Sequence, residues 1–192
     1  MDLATDTLPN GVNLANIGSL IDAITTSPAL ADVVFKARSQ WQGGTRTEVT
    51  VDEVHSNNAN ISSPDRQFKL YVDEPPYLGG NDSAPNPVET VAAGLCGCLT
   101  AGIASNAALF GTELEKIQVE VDVRFDVHGV LGLNKAAPNG AIGLHYKVTL
   151  KAKDPLLADK LIRSKETIDR KSPVKQTLEL PLHITTEVVI EQ

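Results

Sequence analysis

Asn86-Pro87-Val88-Glu89-Thr90-Val91-Ala92-Ala93-Gly94-Leu95-Cys96-Gly97-Cys98-Leu99-Thr100 is the stretch on which the fold turns. Asn86 before Pro87 marks a capped helix start, since proline at the first helical position forfeits no hydrogen bond. The run that follows is apolar and rich in Ala and Gly. Such a surface lets another backbone come close, which suits a central buried helix. The helix is expected from about Pro87 to Leu109, with Gly111 as its stop. It carries both cysteines of the chain. Positions i and i+2 of a helix point about 200° apart, so Cys96 and Cys98 diverge and a direct bridge needs unwinding. Cys96 is expected to face the core or a partner subunit.

Upstream, residues 1–12 read as a flexible leader ending at Pro9-Asn10-Gly11. Residues 13–26 place Leu14, Ile17, Leu20, Ile21 and Ile24 at helical spacing, with Asn13 as cap and Ser27-Pro28 as the end. An amphipathic helix packed on the main body is expected there. Val33 to Trp41 reads as a strand, Thr45 to Val54 as a second, and Gln67 to Val72 as a third, in an antiparallel meander. Asn57 to Pro64 is a polar loop. Asp73 to Asp82, with Pro75-Pro76 and Gly79-Gly80, is a loop leading into the helix.

Downstream, Ile117 to Asp126 alternates cleanly and is expected to be a half-buried strand. Gly129 to Gly140 is a loop, and Ile142 to Ala152 a second strand. Asp154-Pro155 opens a helix running to about Arg170, and Ser172-Pro173 opens a short third one. Leu182 to Ile190 is expected as a final strand. With no regular βαβ alternation, the fold class is α+β with antiparallel sheets.

Of the 192 residues, 42% are hydrophobic and 21% charged, ordinary values for a globular chain. The net charge is -7, and no basic cluster appears that could neutralise phosphates. No nucleic-acid partner is expected. The acidic start is unlike a secretory signal, and no window approaches the roughly 18 apolar residues of a membrane span. No membrane partner is expected, and two free thiols fit a reducing, cytoplasmic compartment. His55, His128, His145 and His183 are scattered without ligand spacing, so no metal or other cofactor is expected.

Pro87, Glu89 and Cys98 together form a pattern. Asn-Pro-x-Glu opens the helix, and a small-small-Cys follows eleven positions after the proline. Asp73-Glu74-Pro75 with Leu78-Gly79-Gly80 precedes it, and Ser172-Pro173-Val174 follows far downstream. In these features the chain resembles the OsmC/Ohr family of bacterial hydroperoxide-handling proteins. The agreement in element order covers about residues 33–190. Residues 1–30 stand as an N-terminal leader and amphipathic helix, and 31–192 as the OsmC-like domain.

The resemblance implies an intertwined homodimer with two active sites near the subunit interface. It implies that Cys98 attacks the peroxide O–O bond and becomes a sulfenic acid, in an oxidative-stress role. Glu89 would be the helix-start carboxylate, although some members place it one residue earlier, where this chain has Val88. Arg46, after Gly43-Gly44, would be the arginine that activates the thiol, with Arg38 and Arg66 as alternatives. Each also has a plainer role: Glu89 suits the helix dipole, Arg46 a solvated strand edge, and Cys98 a small packed hydrophobe.

Ser172 is the departure, because the family commonly has Cys-Pro-Val there. Serine caps the following helix but cannot form a disulfide. Two functions stay open. One is a thiol-dependent peroxidase using Cys98 alone, with an external thiol as reductant. The other is a non-redox protein of the same fold that holds a small apolar ligand.

Overall fold

The computed structural model describes residues 9–191. Residues 1–8 of the expected leader lie outside them. The end of that leader is pinned rather than loose. Asn10 adopts φ 64°, its Nδ2 donates to Thr112 O at 3.0 Å, and its Oδ1 accepts from Leu114 N at 2.7 Å. Helix α1 (Leu14–Thr26) follows with Asn13 as its cap, accepting from Asn16 N. Its apolar stripe is largely uncovered, with Leu20 and Ile21 both 58% exposed. The expected packing of this face on the main body is therefore not made within one chain.

The expected three-stranded meander forms, but two of its strands break. Val33–Phe35 (β1) and Arg38–Trp41 (β2) belong to different sheets. Thr47–Val51 (β3) and Val54–Ser56 (β4) are likewise divided. Both breaks occur where Lys36 N donates to Glu53 O, which lets the ribbon bend and change sheets. The expected polar loop contains a further short strand, Ala59–Asn60 (β5). Asn57 and Asn58, with φ of 47° and 64°, form the two-residue turn that reverses the chain between β4 and β5. With Phe68–Val72 (β6), the sheets run β1-β4-β5 and β2-β3-β6, all antiparallel.

Helix α2 spans Pro87–Leu109. Leu95, Leu99, Ile103 and Ala107 recur every fourth residue and are fully buried. They pack on the ribbon of β7 (Leu114–Arg124) and β8 (Gly143–Ala152), through Ile117, Val119, Val121, Tyr146, Val148 and Leu150. Each buried Leu or Ile contributes roughly 2 kcal/mol of transfer energy. Helix α4 (Ala158–Lys171) closes the other side through Leu161 and Ile168. Gly102 makes that crossing close, since a Cβ there would collide with Ile168 Cδ1. At the helix end Gly111 takes φ 65°, and Thr112 N returns to Ala107 O at 2.8 Å.

By length and composition α2 meets the requirement for a membrane span. That corrects the expectation that no window does. Its buried leucine stripe nevertheless packs on protein.

The loop expected at 129–140 begins in a helical turn, α3 (Val127–Val130), capped by Asp126. Asp154 caps the 3-10 turn that leads into α4, and Ser172 caps α5 (Pro173–Glu179). The expected strand at 182–190 does not form: residues 181–191 make no regular structure. A strand needs an edge to pair with, and none of the sheets among the described residues pairs with the segment. Leu182, Ile184, Val188 and Ile190 are 62–85% exposed.

The chain exposes 14016 Å². A compact monomer of this length exposes about 9,000 Å². The excess lies on the β1–β6 arm, the stripe of α1 and the C-terminal segment, which leave Phe35, Trp41, Leu20 and Ile184 uncovered.

Candidate functional site

The site is built on α2. Asn86 Oδ1 accepts from Glu89 N at 2.8 Å, and Glu89 Oε2 accepts from Asn86 N at 2.8 Å. This reciprocal capping box fixes the helix start and occupies the Glu89 carboxylate. Glu89 is exposed. Cys98 lies nine positions further along the helix. On a helix that is about 13.5 Å of rise and a turn of about 180°, so the two side chains of one chain face opposite ways.

Cys98 points toward the α4–α5 junction, and its Sγ lies 3.1 Å from Ser172 Oγ. Ser172 is fully buried, and its Oγ also accepts from Lys175 N at 3.2 Å. Its backbone N–H donates to Ile168 O at 2.7 Å, so both the end of α4 and the start of α5 hold it in place. The serine thus sits against the thiol, and a half-buried Cys98 is reachable from outside. Cys96 turns the other way, donating to Val119 O of β7 at 3.7 Å. The two sulfurs do not converge.

Arg46 is not brought to Cys98. Its Nη1 donates to Ser83 Oγ at 3.1 Å, and its guanidinium stacks on Tyr71 at 5.1 Å from the ring centre. Ser83 is in turn anchored by Asp73, which is 1% exposed. Asp73 accepts from Thr45 Oγ1 at 2.6 Å, Ser83 Oγ at 2.8 Å, and the backbone N–H groups of Ser83 and Asn81. These donors, Thr45 foremost, hold its carboxyl well below the usual carboxylate range against the upward push of burial. Asp73 thereby ties the turn bearing Thr45 and Arg46 to the loop before α2. Gly80 completes the loop, since a Cβ there would collide with Glu74 O.

The alternative arginines are committed elsewhere. Arg38 pairs with Asp52 and Glu53, and its donation, ahead of those of Lys36 and His55, brings the Glu53 carboxyl to about 2. Arg66 lies over the Phe68 ring at 4.9 Å. None of the three hydrogen-bonds Cys98 or Glu89.

Between the first turns of α2, the β7–β8 ribbon and α5 an apolar cleft of about 670 Å³ opens; Cys98 and Ser172 do not line it. Val91, Leu95, Phe125, Leu144 and Tyr146 line it, and Lys175 and Glu179 stand at its rim as an ion pair of 2.6 Å. Leu95 is one turn before Cys98, and Lys175 is the residue whose N–H reaches Ser172. The Tyr146 hydroxyl donates to Asp169 at 2.7 Å, and burial followed by that bond pushes its phenol up to about 12. Tyr146 is thus a neutral wall of the cleft.

The sequence reading missed Asp73, Ser83 and Tyr146 as parts of the surroundings. Asp73 stood out only as the first residue of the pre-helix loop, Ser83 had no motif of its own, and Tyr146 showed only as an alternating strand residue. No group of three or more His, Cys, Asp or Glu placed to hold a metal occurs among the described residues.

No curated protein matches the chain in sequence. Solved structures share its fold. An OsmC-like protein of unknown function from Vibrio cholerae superposes with a TM-score of 0.56 at 12% identity, covering 76% of this chain and 94% of that one. An OsmC-like protein from Mycoplasma pneumoniae gives 0.52 at 13% identity over 77% and 87%. An osmotic stress induced and detoxification response protein from Psychrobacter arcticus gives 0.51 at 18% identity over 73% and 85%. The family described as OsmC-like protein matches residues 79–187, which run from the pre-helix loop through α2 and Ser172. With its antiparallel ribbon, its cysteine-bearing central helix and this family match, the chain belongs to the OsmC-like proteins.

Proposed function

We propose that the protein is a thiol-dependent peroxidase that reduces organic hydroperoxides with Cys98 as its single reacting thiol. The observation that carries this reading is the position of Cys98: half-buried on the central helix, with its sulfur held by a hydroxyl. The thiolate attacks the distal peroxide oxygen. An S–O bond forms as the O–O bond breaks, the sulfur is oxidised by two electrons, and the alkoxide leaves as an alcohol after taking a proton from water. An external thiol then condenses with the sulfenic acid and releases water, and a second equivalent frees Cys98 as a thiol.

The reading includes a homodimer. Glu89 and Cys98 of one helix face opposite ways, and Arg46 sits on the uncovered arm. A second copy brings these groups together and covers the exposed surface. The excess of about 5,000 Å² per chain, roughly 10,000 Å² for a pair, is above the roughly 2,000–5,000 Å² total of common obligate interfaces and leaves ample surface for an extensive one. Residues 1–30 are an accessory element of this assembly, and its compartment is the reducing cytoplasm.

Hydroperoxide consumption with dithiothreitol as reductant tests the reading. Wild type and Cys96→Ala should turn over, and Cys98→Ser should not. Equal rates for wild type and Cys98→Ser would sink it.

A second reading draws on the cleft itself: a non-redox protein binding a small apolar ligand, with Cys98 packed and inert. Iodoacetamide separates the two. Failure of native Cys98 to alkylate, while the unfolded chain does, favours binding.

A further inference from the structure

We infer that Ser172 is a positioning residue for Cys98, whose hydroxyl holds the sulfur and then the oxygen it acquires, so that a long-lived sulfenic acid replaces a disulfide. The inference rests on the peroxidase reading and adds how a site with one thiol survives its own chemistry.

The direction of the hydrogen bond follows from what surrounds it. Ser172 Oγ already accepts from Lys175 N, and the residue is fully buried. Its remaining hydrogen-bonding partner among the described residues is Cys98 Sγ at 3.1 Å. If the thiol donated, the hydroxyl proton would be left buried without an acceptor, at a cost of about 1–3 kcal/mol. The hydroxyl therefore donates to sulfur. The Ser172 N–H donating to Ile168 O and the Lys175 N–H donating to Ser172 Oγ fix that hydroxyl at the joint of α4 and α5, so it does not reorganise when sulfur reacts.

Sulfenic acids without a resolving thiol advance to the sulfinic state when a second peroxide arrives. Here no second sulfur can intercept. Cys96 is turned to Val119, and Ser172 carries oxygen. What the site offers instead is a fixed donor within reach of an oxygen on Sγ. Such a donor engages a lone pair of the sulfenic group and lowers its capacity to attack a second peroxide. Release then waits for an external thiol.

The experiment follows the sulfenic acid directly. Purified protein receives one equivalent of cumene hydroperoxide without reductant, and dimedone is added after increasing delays. Intact mass resolves the sulfenic adduct from the sulfinic product. Wild type should keep its sulfenic acid at least about fivefold longer than Ser172→Gly or Ser172→Ala, and Ser172→Thr should restore the lifetime to within about twofold. Glycine is a tolerated helix cap and alanine differs by the oxygen alone, so each serves if the other fails to fold. Iodoacetamide alkylation, which adds no oxygen to sulfur, should change less than the lifetime does. Equal lifetimes in wild type and both donor-free variants overturn the inference and leave the peroxidase reading standing. A wild type that forms no sulfenic acid overturns both.

Discussion

Cys98 Sγ and Ser172 Oγ lie 3.1 Å apart although 74 positions separate the two residues in the chain. Helix α2 brings one and the α4–α5 joint brings the other. A separation that short places a sulfur introduced at 172 close to disulfide-forming range of Cys98.

Ser172→Cys should therefore convert the protein into a two-thiol peroxidase. After one equivalent of hydroperoxide, the variant should lose two titratable thiols and 2 Da of mass relative to its reduced form, with no sulfenic adduct on dimedone treatment. Retention of a trappable sulfenic acid would show that the 98–172 geometry does not support condensation.

Glu89 has a structural and a proposed chemical role, and glutamine separates them. Gln at the third helical position preserves the capping box. Glu89→Gln should leave the melting temperature within about 2 °C while lowering peroxide turnover roughly 100-fold, the scale of losing one positioned electrostatic group. Unchanged turnover would return Glu89 to helix capping alone.

Asp73 gives the fold a pH signature. Its folded carboxyl lies below the ordinary value of about 3.9, so its stabilisation is fully present above that value and is lost as pH falls below it toward the folded value. The melting temperature should hold between pH 7 and 5 and drop below pH 4. Asp73→Asn should lower it by roughly 5–10 °C at pH 7 and flatten the acid limb. Because Asp73 anchors Ser83, which holds Arg46, the same variant should reduce turnover.

Gly102→Val fills the space that Ile168 occupies against α2. Overpacking there should cost about 1–3 kcal/mol in urea unfolding. A neutral result would mean that α4 can slide along α2.

The exposed C-terminal segment should matter for assembly. Light scattering coupled to gel filtration should give twice the chain mass for the full protein. Ending the chain at Leu180 should abolish that species or leave it aggregation-prone, since Ile184, Val188 and Ile190 have no cover within one chain. A full-length monomer that stays soluble would contradict the homodimer.

Much of the fold could be read locally. The extent of α2, the caps at Asn13, Asp154 and Ser172, and the stop at Gly111 all depend on side chains a few residues from the backbone they satisfy. The β7–β8 ribbon was visible through its alternation, because one face is covered by α2. The strands of the arm were harder. Their breaks at Lys36 and Glu53 depend on a hydrogen bond between two bends, and no local pattern encodes it. The segment at 182–190 has strand-like alternation but pairs with no sheet among the described residues, which periodicity cannot register.

By itself the sequence determined the central helix, its cysteines and their divergence, since helical geometry and capping act within a few residues. It also determined that position 172 carries oxygen rather than sulfur. Tertiary structure alone decided that this serine touches Cys98 and that Arg46 is held by Ser83 and Tyr71. Those relationships depend on how α2, α4 and the arm are placed, and such placement is set by burial and shape across the chain.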